Sequence, residues 1–390
     1  MRKAVPSSTS SNKIFAGTDS CSNEQIFVLV VNQPFSISIE QIFPGIISLV
    51  ISVLLVVSIK WHGKHSLDTT DGVQKFHVTP TPRIGGIALF LGLIASWWIA
   101  SGSTAQLLGQ MLLASVPAFG AGLTEDLTKK VGVRDRLIAT MLSALAAWWL
   151  TGYSLTRIDV WGVDMLMAYL PVGVAFTAFA VAGVANATNI IDGFNGLASG
   201  TIMICFTALG LIAWQVGDLQ LVQLCVIMTV VTGGFFVVNF PLGKIFMGDG
   251  GAYLLGFLLA WVAVMLPMRN QQVSVWAPLL VCSYPVIETI YSIGRRYWNK
   301  THAGHPDSAH LHSLIKVNVV NRRVPHLPQP IRNSMVAPSC WVFTCLVSGF
   351  AVWQYNRIAF LVAAWFSGFF VYAIIYDRLR RDVTCFAHQV

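Results

Sequence analysis

An all-α, polytopic bundle of membrane-spanning helices is the fold class this sequence predicts. Three observations predict it. The 390-residue chain is 55% hydrophobic and only 11% charged, where a soluble domain carries about 25% charged residues. Its mean hydropathy is +0.65. Its apolar residues gather in runs near the ~20 residues a helix needs to cross hydrocarbon.

The elements follow in order. Residues 1–42 read as a polar, Ser/Thr/Asn-rich, disordered tail. That tail lacks the basic-then-apolar plan of a signal peptide, and its IFVLVV run at 26–31 is too short to span. Apolar segments follow at about 43–59, 84–101, 106–124, 137–151, 166–185, 198–216, 219–240, 252–268, 274–293, 335–353 and 358–376. They make a membrane domain of 43–376 with about 10 or 11 spans, and 377–390 form a C-terminal tail. The cysteines show no CxxC spacing, and most sit in apolar runs, as small buried hydrophobes do.

The charges orient the bundle. One set of alternate loops holds Lys60, Lys64, Lys75, Arg83, Lys129, Lys130, Arg134, Arg136, Lys244 and the basic residues of 295–332, and the C-terminal tail adds Arg378, Arg380 and Arg381. The opposite loops hold Arg157, Arg269 and Arg357. The positive-inside rule makes the first set cytoplasmic, with the N-terminus outside and the C-terminus inside. The net charge of +8 therefore reports topology, not a nucleic-acid partner. Glu125, Asp126, Asp192, Asp249 and Asp307 then share the cytoplasmic side with most of the histidines. Carboxylates at the edge of hydrocarbon are costly to hold and suggest a cation site.

Four stretches carry candidate chemistry. KFHVTPTPRIGG (75–86) combines stiffening prolines, Lys75, Arg83 and two glycines at a helix start, which suits phosphate. GLTEDLTKKVGVRDR (122–136) places Glu125 and Asp126 at a helix C-terminus, where the macrodipole disfavours them unless a cation compensates. NATNIIDGFNGLASG (186–200) spaces Asn186, Asn189 and Asp192 three apart, on one helical face, before Gly193 and Gly196. NFPLGKIFMGDGG (239–251) sets Asp249 between glycines, close to Lys244. Each has a plain reading as well: a basic topology-setting loop, a solvated charge pair, interhelical amide bonding or a simple turn. In the 295–333 loop, His310 and His312 flank Leu311. They are read as phosphate donors before metal ligands, because the spacing is not that of a zinc site. Glu288 lies inside an apolar run, where it can pair with Arg295 or face a polar cleft.

These stretches, in this order, resemble the polyprenyl-phosphate N-acetylhexosamine-1-phosphate transferases, from about residue 45 to 330. PTPRIGG (80–86), GLTEDL (122–127), NATNIIDGFNGLA (186–198), FMGDGG (246–251) and PDSAHLHS (306–313) are similar to that superfamily's successive motifs. Three positions depart from them. Glu125 stands in an Asp-Asp pair, Asn195 in place of a second Asp, and Ser313 in place of a third histidine. The pattern is closer to the O-antigen and teichoic-acid initiating branch than to the phospho-MurNAc-pentapeptide translocases.

The resemblance implies a multi-pass enzyme of the bacterial inner membrane with a cytoplasmic active site. It would move HexNAc-1-phosphate from a UDP-HexNAc to undecaprenyl phosphate and release UMP, with Mg²⁺, or alternatively Mn²⁺, as cofactor. It implies Asp249 as first metal ligand with Asp126 beside it, and Glu125, Asp126, Asp249, His310 and His312 as catalytic. Lys75, Arg83, Asn186, Asn189, Asp192 and Lys244 would bind substrate. A homodimer is compatible with the sequence. A secondary transporter is the main rival class, but transporters gather ionisable groups near the midplane, and here they sit at one face.

Overall fold

The computed structural model describes residues 39–68, 80–300 and 309–387. Every one of the eleven apolar segments is helical. In chain order the elements are α1 (Ile39–Val57), α2 (Ile59–Ser66), β1 (Leu67–Asp68), β2 (Thr81–Pro82), α3 (Gly85–Ile99), α4 (Gly102–Thr128), α5 (Val133–Thr151), α6 (Val163–Met167), α7 (Leu170–Ile190), α8 (Leu197–Gln215) and α9 (Leu219–Asn239). Then come α10 (Gly248–Arg269), α11 (Trp276–Val281), α12 (Ser283–Trp298), α13 (Leu311–Ile315), a π-helical turn Lys316–Val320, α14 (Asn321–Arg323), α15 (Gln329–Ser334), α16 (Ala337–Trp353) and α17 (Ile358–Ala387). Most of the stretch read as a C-terminal tail continues α17.

The protein is a polytopic helical membrane protein. Among the described residues seven helices are long and apolar enough to cross a membrane, or eight if α1 and α2, bent by 85°, form one span. The shortfall from ten or eleven has local causes. α3 is only 15 residues long. α5 opens on Arg134, Asp135 and Arg136. The 276–298 segment is interrupted at Cys282 and carries Glu288, Arg295 and Arg296.

α10 is the hub. In its most apolar window 89% of residues are buried, against 17% for the peripheral α17. A helix buried on all sides must be apolar all round, as GAYLLGFLLAWVAVML is. α10 packs on α3, α4, α7 and α8, and glycines set those approaches. A Cβ on Gly256 would meet the Ala185 backbone of α7 at 2.7 Å.

The loops sort to two ends. At one, Gln220 donates to the Ser103 carbonyl (2.7 Å) and Ser274 N to the Tyr355 carbonyl (2.9 Å). At the other lie the N-termini of α3 and α10 and the C-termini of α4 and α7. The cysteines 205, 225, 282 and 340 are free and buried, as read from the sequence.

Candidate active site

Two motif loops far apart in sequence are joined through their backbones. Phe246 N donates to the Pro82 carbonyl (2.8 Å), Gly85 N to that of Phe246 (3.0 Å) and Gly86 N to that of Met247 (2.9 Å). β1 and β2 continue this edge as an antiparallel pair, with Leu67 opposite Pro82 and Asp68 opposite Thr81. So close a fit needs glycine. A Cβ on Gly86 would lie 2.4 Å from Gly251 N, and one on Gly122 would lie 2.6 Å from the Asp249 carbonyl carbon. The first turn of α10 is wedged between α3 and α4.

Asp126 fixes that first turn. Its Oδ1 accepts from Asp249 N (2.9 Å) and its Oδ2 from Gly250 N (2.8 Å), and the side chain is wholly buried. The end of one helix thus supplies the carboxylate that the start of another needs. Arg83 Nε lies 3.2 Å from Asp126 Oδ1, and its Nη2 donates to Asp249 Oδ1 at 2.8 Å. Asp249 also accepts from Asn189 Nδ2 (2.9 Å) and pairs through Oδ2 with Arg136. The Arg136 guanidinium lies over the Tyr253 ring, 5.6 Å from its centroid.

Asn186, Asn189 and Asp192 share one face, as their spacing predicts. Asn186 Oδ1 accepts from Tyr253 OH at 3.0 Å, and Asn189 reaches Asp249. Asp192 lies past the end of α7, in the turn that Gly193 and Gly196 open. Burial pushes its carboxyl up to about 7, against the opposing pull of Arg83 and a hydrogen bond from the Gly248 backbone.

The histidines adjoin the same turn. His312 Nε2 would lie 3.2 Å from a Cβ on Gly193, and its ring meets Phe194 edge-on. Buried Glu288 turns away from the Arg295 alternative and organises the pair. Its Oε1 is 3.0 Å from His310 Nδ1 and its Oε2 is 3.9 Å from His312 Nδ1. A carboxylate only accepts, so His310 donates from Nδ1, which sets its tautomer.

A family model described as glycosyl transferase family 4 matches residues 108–267, which hold Asp126, the 186–200 turn and Asp249. A decaprenyl-phosphate N-acetylglucosaminephosphotransferase of Mycobacterium tuberculosis is 31% identical over 283 residues, covering 64% of this chain and 69% of that one. This chain belongs to glycosyl transferase family 4. Other relatives are a probable undecaprenyl-phosphate N-acetylglucosaminyl 1-phosphate transferase of Bacillus subtilis and a phospho-N-acetylmuramoyl-pentapeptide-transferase of Geobacillus kaustophilus. The first is 29% identical (64% of this chain, 70% of that one) and the second 32% (58% and 74%).

Within this family 4 chain the remaining candidates divide. Glu125, next to Asp126, turns away from the cluster, and its Oε2 accepts from Val131 N at 2.7 Å within its own loop. Asn195 donates to the carbonyls of Pro241 (3.0 Å) and Pro330 (3.3 Å), tying the 191–196 turn to two other segments. Ser313 is buried in α13 and Lys244 is exposed on the 241–247 loop. Lys75 lies outside the described residues, as do His305 and Asp307. The sequence reading missed Arg136, counted only as a topology charge, and Glu288 as the histidines' partner. The one available signal for Glu288 was an acid in an apolar run.

Asp126 and Asp249, bridged by Arg83 and by the first turn of α10, are hard oxygen donors. No group of three or more His, Cys, Asp or Glu side chains is placed to cage a metal among the described residues. Mg²⁺ is usually held by one or two carboxylates plus substrate phosphates, so this sparse donor set fits it. Asp249 and Asp126 could supply those carboxylates.

Proposed function

We propose that this chain transfers HexNAc-1-phosphate from a UDP-HexNAc to undecaprenyl phosphate, releasing UMP, at the cytoplasmic face of a bacterial inner membrane. The product would start a cell-surface polysaccharide of the O-antigen kind. The observation that carries this reading is the Asp249 cluster. One carboxylate at the N-terminus of the central helix meets two arginines and an amide from three other segments. The named relatives that use polyprenyl phosphates support it.

The reaction joins two anions. An oxygen of the lipid phosphate attacks the sugar-bearing phosphorus of the donor. The bond from that phosphorus to the bridging oxygen breaks, and UMP leaves. Arg83 and Arg136 neutralise charge that must accumulate there. Mg²⁺, or Mn²⁺, held by Asp249 and Asp126 would supply further neutralisation of the diphosphate. A general base is hardly needed, because a phosphomonoester with its second pKa near ~6 is already mostly dianionic. Asp126 therefore acts by fixing Asp249, and Glu125 by shaping the 128–132 loop. Asn186, Asn189 and Asp192 hold the nucleotide, with Lys75 and Lys244 as further basic contacts. His310, oriented by Glu288, and His312 contact the diphosphate.

The phospho-MurNAc-pentapeptide reaction is the second reading, favoured by the 32% identity to the Geobacillus enzyme. Purified protein given Mg²⁺, undecaprenyl phosphate and a panel of UDP-HexNAc donors should release UMP, and the active donor chooses between the readings. No UMP from any donor, with Asp249→Asn indistinguishable from the parent, would sink both.

A further inference from the structure

Behind the histidine turn lie two cationic nitrogens that the cluster above does not use. Lys316 opens the π-helical turn that follows α13. Its side chain is 2% exposed and its Nζ has no hydrogen-bond partner. Arg332 is on α15, which packs against this turn. It gives Nη1 to Asn321 Oδ1 at 3.2 Å, while its Nε is buried with no partner. Burial pushes the Lys316 ammonium down to about 8, and the like charge of Arg332 adds to it.

A buried ammonium with no acceptor among the described residues, held close to a half-buried guanidinium whose Nε is also unpartnered, is an expensive arrangement. A π-turn is rare and often marks a functional site. Position adds to this. Lys316 is four residues beyond His312, one turn along the same face. Asn195 ties the 191–196 turn to the Pro330 carbonyl, two residues before Arg332. The helix that carries Arg332 is thus tied, through Pro330, to the turn that carries Asp192 and Gly193.

We propose that Lys316 Nζ and Arg332 Nε form an oxyanion subsite that receives a phosphoryl oxygen of a substrate beside the His310–His312 turn. The substrate half of this statement rests on the transferase reading above; the anion half does not. Lys316 and Arg332 act as positioning residues that seat the phosphoryl group, and no bond is made or broken at them.

The probe is inorganic phosphate, titrated into the purified full-length protein in detergent and followed by thermal melting. Phosphate should raise the Tm of the parent. Its apparent Kd should weaken about tenfold or more in Lys316→Met and in Arg332→Met, the size expected when one charge-assisted hydrogen bond is lost. Lys316→Arg should keep it within about threefold, since charge and donors remain. A phosphate response in Lys316→Met equal to that of the parent overturns the proposal. Lys316→Met should fold, because it removes a buried unpaired charge, and Arg332→Met tests the same claim independently. Saturating UDP-GlcNAc or undecaprenyl phosphate should abolish the Lys316-dependent part of the response, and the one that does so names the source of the phosphoryl group. If neither competes, the assignment to a substrate is overturned. Absence of UMP release would instead count against the transferase reading and leave the phosphate titration standing.

Discussion

At one end of the bundle, Asp218 accepts Nε (2.8 Å) and Nη2 (3.0 Å) of Arg269, caps α9 through Leu221 N (3.2 Å) and takes Asn270 Nδ2 (3.1 Å). Nearby, Arg157 pairs with Asp159. Asp218 and Asp159 thus each have an arginine of their own. At the other end, Arg83 is shared among Asp68 (3.7 Å), Asp126 and Asp249, and Asp249 is shared between Arg83 and Arg136. One-to-one pairs are closed: neither partner has much to gain from a newcomer. A shared network is open to exchange, because a phosphate can take over an arginine and a cation can take over a carboxylate. The same residue types therefore build a clasp at one end and a site at the other.

The largest expected effect separates the two ends by function. Asp249→Asn should lower transferase activity by roughly 10²–10³-fold, the usual loss when a pre-placed electrostatic group is removed, with the protein still folded. Asp218→Asn should leave the rate of UMP release within about twofold of the parent, since that residue lies at the opposite end. Equal losses in the two variants would erase the distinction.

Next come the scaffolds. Gly86→Ala should cost about 1–3 kcal/mol of stability, because the new methyl overlaps backbone and not a movable side chain. Activity should fall with it as the Asp249 turn is displaced. Gly120→Ala on the open face of α4 meets nothing within 4 Å and should be neutral or gain about 0.5–1 kcal/mol from helix propensity. Reversible unfolding in mixed micelles checks both values.

At the opposite end, Arg269→Ala should remove about 1–3 kcal/mol by leaving Asp218 without its charge-assisted partner. Catalysis should not change. The measurement is again unfolding, paired with a UMP assay.

The smallest effect is a pH dependence confined to the site end. The Asp192 carboxyl is raised from the ordinary 3.8 to about 7, so the fold favours its protonated form. Its contribution to stability is fully present below about pH 4 and fades as pH rises through about 7. The Tm of the ligand-free protein should therefore drop between pH 6 and pH 8, and Asp192→Asn should flatten that slope. An unchanged slope in the variant would assign the dependence to another group.

Much of this was legible in the chain. Apolar run length found all eleven helical segments, because a helix in hydrocarbon must satisfy its own backbone and be apolar over most of its surface. The three-residue spacing of Asn186, Asn189 and Asp192 put them on one face, and the structure points all three towards the start of α10. Glu125 and Asp126 show where reading stops. Adjacent in sequence and alike in charge, they look like a pair, yet one closes its own loop and the other caps a helix that begins more than a hundred residues later. Adjacent residues on a helix point about 100° apart, so only the neighbours of each decide its role.

The sequence by itself determined the membrane-helical class, the position of each helical segment and which loops share an end, because these follow from local hydropathy and from the alternation of a chain that crosses and returns. Only the tertiary structure decided the partners. Arg136 on Asp249, Glu288 on His310, and Asp126 beneath the first turn of α10 are contacts between helices whose rotation about their own axes is set by packing. Glycines at 86, 122 and 256 let three helices close on α10, and that closure, which no local pattern encodes, turned scattered carboxylates into one site.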